Sequence, residues 1–130
     1  MKRITLTFLF LLFFSSPSYS EWKKVALIGT GIEIYVNFTT IKKKNTYVHY
    51  QTLQNLKEPD SDGVLSSQNL WEVDCNIPIK IRSLSFTTYN KMMGQGIQII
   101  RMGAESNWRK ILSNSSAGNQ ITTAICEMMR

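Results

Sequence analysis

The sequence holds one histidine, two cysteines and three prolines among 130 residues. Each scarcity removes a class of chemistry. His49 has no second histidine to join it, and Cys75 and Cys126 are too distant in sequence to give zinc-ligand spacing. No nucleophile elbow or similar catalytic signature appears. His49 falls mid-strand among aromatics, where it reads as a packed or rim residue rather than a general base, which would also need an orienting partner. Gly94-Gln95-Gly96 is a lone GxG with no helix behind it to bind a phosphate. Glu58, Asp60 and Asp62 alternate in a loop, but Gly63 stands in the wrong place for a calcium loop and no glutamate closes it. The expectation is a protein that is not an enzyme and takes no cofactor or metal.

Long apolar runs are also missing beyond the first twenty residues, so nothing there reaches the roughly 20 residues a membrane span requires. The opening itself, MKRITLTFLFLLFFSSPSYS, has a basic start at Lys2 and Arg3, an apolar run from Ile4 to Phe14, and small residues at Ser18 and Ser20. That layout predicts a secretory signal peptide over residues 1–20 and a single exported domain over residues 21–130. No cysteine stands at the cleavage point, so no lipid anchor or other stable membrane anchor is expected. The domain keeps 13 basic and 9 acidic side chains, a net charge of +4. Export also bears on the two cysteines, because in an oxidising compartment the cysteines of a small domain pair. A Cys75–Cys126 bridge closes a loop of about 50 residues, worth roughly 4 kcal/mol in the chain-entropy model.

What the chain does contain is strand signal. Residues 22–28 form a first candidate. Residues 32–38 alternate, with Ile32, Ile34, Val36 and Phe38 on one face and Glu33, Tyr35 and Asn37 on the other, which predicts a half-buried antiparallel strand. Lys42-Lys43-Lys44-Asn45 reads as a charged connection, and residues 46–53 as a third strand. KEPDSDG (57–63) is the clearest loop. Residues 69–75 and 79–89 follow as strands. The second shifts its apolar phase between Ile81 and Leu84, which predicts a bulge or burial on both faces. After a turn at 92–96 come a strand at 96–102 and a short further one near 108–112. Residues 117–128 carry helical spacing behind Ser115 and Ser116, which can cap a helix. Cys126 falls off the apolar stripe of that helix, so either the helix frays before it or the thiol meets a neighbouring strand end. The expected fold is α+β: a single antiparallel sheet of about six strands, covered in part by a C-terminal helix, with one disulfide.

A sheet with Ile32, Ile34 and Val36 inward turns Tyr35 outward, and the third strand also has an aromatic outer face. An aromatic face flanked by lysines suits a protein partner. Lys42, Lys43, Lys44, Tyr35, Tyr47, Lys80 and Arg82 are the candidate contact residues. Basic and aromatic residues together also suit nucleic acid, but export argues against it. Free sheet edges offer a route to a homodimer.

The order of features resembles the bacterial surface-adhesin protein E family. An early Trp22 is followed by IYVNFTTI, by Ser66-Ser67 leading into WEVDC, by YNKMMGQG, by NWRKI, and by a Ser-rich helix start with Cys126 near the end. The resemblance covers about residues 22 to 127. It implies a small exported domain with an antiparallel sheet, a C-terminal helix and a Cys75–Cys126 disulfide, and it implies binding to host matrix proteins. The sequence departs from a lipid-anchored adhesin in having no cysteine directly after the expected signal peptide, so a periplasmic or secreted location is expected ahead of the cell surface. The other reading is a periplasmic envelope accessory or inhibitor protein.

Overall fold

A computed structural model of the chain describes residues 21–103, 106–112 and 116–130. The expected signal peptide, residues 1–20, lies outside the described residues. In chain order the elements are β1 (Trp22–Ile28), β2 (Ile32–Asn37), β3 (Lys42–Lys44), β4 (Tyr47–Asn55), β5 (Ser66–Asp74), β6 (Lys80–Tyr89), β7 (Gln98–Met102), β8 (Arg109–Lys110) and the helix α1 (Ala117–Met128). The strands form one sheet in the order β1-β2-β4-β5-β6-β7, and every pairing is antiparallel.

The sheet is the expected kind, but it has eight strands rather than about six. Two ladder positions are each filled by two segments. β2 pairs with residues 52–55 of β4, and β3 continues along the same edge against residues 47–49. β7 pairs with residues 86–89 of β6, and β8 continues against Lys80 and Ile81. The break between β2 and β3 is a 3-10 turn at Phe38–Thr40, where the Asn37 side chain accepts from the Thr39 N–H at 3.2 Å. Phe38 therefore leaves the strand and stands 36% exposed instead of joining the core. Lys42–Lys44, expected as a connection, is strand. The connection is Asn45-Thr46, with Asn45 at φ 60°, a left-handed conformation that Asn tolerates. Three lysines are acceptable in a strand whose outer edge faces water.

One face of the sheet carries the main core. Val36, Val48, Tyr50, Val73 and Ile81 pack with Ile125 and Cys126 of α1. Burying each large apolar side chain contributes about 1.5–3 kcal/mol. The helix has the expected bounds, and Ser116 caps it by accepting from the Asn119 N–H at 3.1 Å. Its ITTAI stretch prefers strand by propensity. Burial overrides that preference: Thr122 is 1% exposed, and its hydroxyl donates to the Gly118 carbonyl at 2.9 Å and lies 2.8 Å from the Tyr50 hydroxyl. The helix does not fray before Cys126. It presents a fully buried Cys126 to Cys75, one residue beyond the end of β5, and the two form a disulfide with Cα atoms 5.5 Å apart.

The expected phase shift in β6 is a bulge. Trp71 faces Ser83 and Leu70 faces Ser85, which leaves Leu84 without an opposite residue. The opposite face of the sheet is roofed at one end by the β6–β7 connection. There Asn55 Oδ1 accepts from the Met93 N–H at 2.9 Å, and the Ser66 hydroxyl accepts from the Gly94 N–H at 2.9 Å. Leu53 is fully buried on that face.

Candidate functional site

The remaining part of the face turned away from α1 is built by the N-terminal half of β4, the C-terminal half of β5 and the start of β6. Residues directly opposite one another on neighbouring strands share a face. The register therefore sets Lys42 of β3, His49 of β4, Glu72 of β5 and Arg82 of β6 in one row. Glu72 is the centre of that row. Its Oε2 lies 2.7 Å from His49 Nε2, and its Oε1 accepts from Arg82 Nε at 2.8 Å and lies 2.6 Å from Arg82 Nη2. Both Glu72 and His49 are 8% exposed. Burial alone pushes the Glu72 carboxyl pKa up, but the hydrogen bonds from His49 and Arg82, together with their charges, outweigh it and hold the pKa below the usual carboxylate range.

Aromatic rings extend the row. The Arg82 guanidinium lies 4.5 Å from the centroid of the Trp108 ring, and Trp108 meets Tyr47 with centroids 5.2 Å apart at 49°. Arg82 thus joins a carboxylate to an indole, through an ion pair to one carboxylate oxygen on one side and a cation–π contact on the other. The chain reaches this position because Ser106 ties it to β6: its N–H donates to the Ser83 carbonyl, and its hydroxyl accepts from the Ser83 N–H at 2.8 Å.

The short strands β3 and β8 flank this same end of the sheet, and every residue of both is Lys or Arg. Lys42 and Lys44 lie opposite His49 and Tyr47, so they project to the cluster face, while Lys43 alternates to the helix side. Lys110 lies opposite Lys80, which is also paired with Asp74. The structure therefore brings together Lys42, Lys44, Tyr47, Lys80 and Arg82 of the sequence candidates. Tyr35 stands apart. It faces Leu53, six residues or about 20 Å further along β4, and its hydroxyl donates to Glu33 at 3.4 Å. Glu72, Trp108 and Lys110 belong to the cluster and are not legible as site residues from sequence. The one signal for Glu72 is its equal spacing with Arg82 about Ile77, the centre of the β5–β6 hairpin.

His49 Nε2 is taken by Glu72, and the Asp60 carboxylate accepts from the Asp62 and Val64 N–H groups in its turn. Among the described residues no group of three His, Cys, Asp or Glu side chains is placed to hold a metal ion, and no helix is long and apolar enough to cross a membrane.

Solved structures share this fold. Haemophilus influenzae protein E in its second crystal form matches with a TM-score of 0.54 at 16% identity, covering 82% of this chain and 97% of that one. The selenomethionine form of the same protein gives 0.55 at 15% identity, with 80% and 94% covered. Protein E from non-typeable Haemophilus influenzae gives 0.53 at 15% identity, with 85% and 80% covered. At this identity the likeness shows a common fold and nothing finer. No curated protein matches the chain in sequence. The profile of the surface-adhesin protein E family, however, matches residues 22–127, and the chain belongs to that family.

Proposed function

We propose that this is an exported, non-enzymatic binding protein of the surface-adhesin class, which attaches to acidic stretches of host matrix proteins through the basic end of its sheet. The observation that carries this reading is the placement of β3 and β8. Two strands made wholly of Lys and Arg border one end of the sheet, with Tyr47 and Trp108 between them. Aromatic anchors inside a cationic border are the make-up of a protein-recognition surface. Lys42, Lys43, Lys44, Lys80 and Lys110 supply the charge, Tyr47 and Trp108 the contact area, and Arg82 holds Trp108 in position. Membership of a surface-adhesin family supports both export and this activity. The outer edges of β1 and β7 are unpaired among the described residues, which supports a homodimer built by edge pairing.

The test is binding of residues 21–130 to a panel of immobilised matrix proteins. At least one should bind saturably, with affinity that falls as salt rises. The triple substitution Lys42→Glu, Lys44→Glu, Lys110→Glu should weaken it by roughly tenfold or more. Absence of saturable binding, or an unaffected triple variant, sinks the proposal. Crosslinking in cells to an envelope protein would instead favour the accessory or inhibitor reading.

A further inference from the structure

On the opposite face, between α1 and the sheet, lies a cavity of about 170 Å³. Ile34, Trp71, Ile81 and Ile121 wall it with apolar surface. A dry apolar cavity of about 150 Å³ accommodates a benzene ring, so the space suits one aromatic or branched aliphatic group. Polar groups of Tyr50, Thr52, Gln54 and Thr122 also line it. The Tyr50 and Thr122 hydroxyls are 2.8 Å apart, and the Trp71 indole N–H is satisfied by the Thr52 hydroxyl at 2.9 Å.

The charge at this cavity is one-signed. Arg109 lines it from the solvent-exposed side, projecting to the helix face because it lies opposite Ile81. Among the described residues no carboxylate pairs with the Arg109 guanidinium. Its charge is nevertheless felt inside, where it acts to lower the pKa of the Tyr50 hydroxyl against the effect of burial. Gly118, in the first turn of α1, borders the same space and adds the positive end of the helix dipole. An apolar cavity bordered by a guanidinium with no carboxylate partner among the described residues is complementary to one kind of molecule.

We propose that this cavity binds a small amphipathic carboxylate, with its aromatic or branched group between Trp71 and Ile121 and its carboxylate on Arg109. The cavity lies on the other face of the sheet from the Glu72 cluster, and the two meet only at β8, which sends Arg109 to the cavity and Lys110 to the cluster face.

The experiment uses residues 21–130 with phenylacetate as probe, and with phenylacetamide and phenethylamine as neutral and cationic counterparts. Backbone amide and indole NMR shifts report the position of binding. Phenylacetate should give saturable shifts at Gly118, Ile121, Thr122 and the Trp71 indole. Phenylacetamide should bind roughly tenfold more weakly, and phenethylamine weaker still. Arg109→Gln should bring phenylacetate down to the level of phenylacetamide. Gly118→Leu places a side chain at the cavity where a Cβ has nothing within 4 Å, on a helical backbone. It should abolish binding while leaving the melting temperature equal or higher. Equal binding of acid and amide, no response to Arg109→Gln, undiminished binding by Gly118→Leu, or no saturable shift each overturns the proposal.

Discussion

Glu72 of β5 and Arg82 of β6 are opposite residues joined by a hydrogen bond and an ion pair, and the other oxygen of the same carboxylate is taken by His49. One side chain thereby ties three strands together and fixes the guanidinium on which Trp108 rests. Replacing Glu72 with Gln keeps the shape and removes the charge. Arg82 and His49 then lose their charged acceptor in a largely buried place, at a cost of about 1–3 kcal/mol. Urea denaturation of the variant should show that loss, and indole fluorescence should show Trp108 more exposed. A variant as stable as the parent would mean that the ion pair contributes nothing net.

The same residue sets an acid dependence. Its folded pKa is lowered, so the folded state binds the proton less readily than the unfolded chain. The stability from Glu72 is therefore complete above its ordinary pKa of about 4.3 and is lost as pH falls through the lower folded value. The stability gap between the parent and Glu72→Gln should be constant from neutral pH to about pH 5 and close below about pH 4. A gap that persists unchanged in strong acid contradicts the lowered pKa.

The disulfide joins the end of β5 to α1 across 51 residues of sequence. Removing both thiols, by Cys75→Ala with Cys126→Ala, should cost roughly 3–4 kcal/mol, mainly because the unfolded chain gains freedom. For a domain of this size that corresponds to a fall in Tm of roughly 15 °C. Melting in reductant should lower the parent toward the variant and leave the variant where it is. Thiol labelling of the denatured, unreduced protein should find no free cysteine, and two labelled thiols would overturn the assignment.

Local rules were enough for some of this fold. The alternation of Ile32, Ile34 and Val36 marks β2, and Ser116 with the spacing of Ile121 and Ile125 marks α1 to its final residue. Lys42–Lys44 escaped because lysine has little strand propensity and the segment is strand only by leaning on β4. The His49–Glu72–Arg82 row escaped for another reason. It depends on two registers at once, and a slip of one residue in either would move a side chain to the other face. The β5–β6 register is visible in the symmetry about Ile77. The β4–β5 register is set across a loop whose length fixes no pairing. Trp108 escaped because the Ser106 bonds to Ser83 that place it join segments far apart in sequence.

Two glycines should respond in opposite directions. Gly94 has φ 68°, and a Cβ there would collide with the Gln68 side chain. Gly94→Ala is both strained and crowded, and should cost more than about 1 kcal/mol. Gly118 is helical, and a Cβ there meets nothing within 4 Å. Gly118→Ala should stabilise by about 0.5–1 kcal/mol through helix propensity and a less flexible unfolded chain. Paired thermal melts decide the matter, and shifts of the same sign would refute the backbone assignment at one of the two.

Tyr50 links sheet to helix and should report on that junction at high pH. It is 2% exposed, with its hydroxyl 2.8 Å from that of Thr122. Burial pushes its pKa up to about 12, and neither the Thr122 bond nor the Arg109 charge offsets this. An ordinary tyrosine ionises near about 10. The folded protein thus keeps this proton more tightly than the unfolded chain. The associated stability is intact below about pH 10 and is lost as pH rises from there toward about 12. Absorbance titration should show a late tyrosine component near about pH 12, or one that appears together with alkaline unfolding. In Tyr50→Phe that late component should vanish. At neutral pH the variant should lose about 1 kcal/mol, and no more, because Thr122 keeps its bond to the Gly118 carbonyl. If every tyrosine has ionised by about pH 11 while the circular dichroism is still native, the hydroxyl of Tyr50 is open to water and the helix is not seated on it.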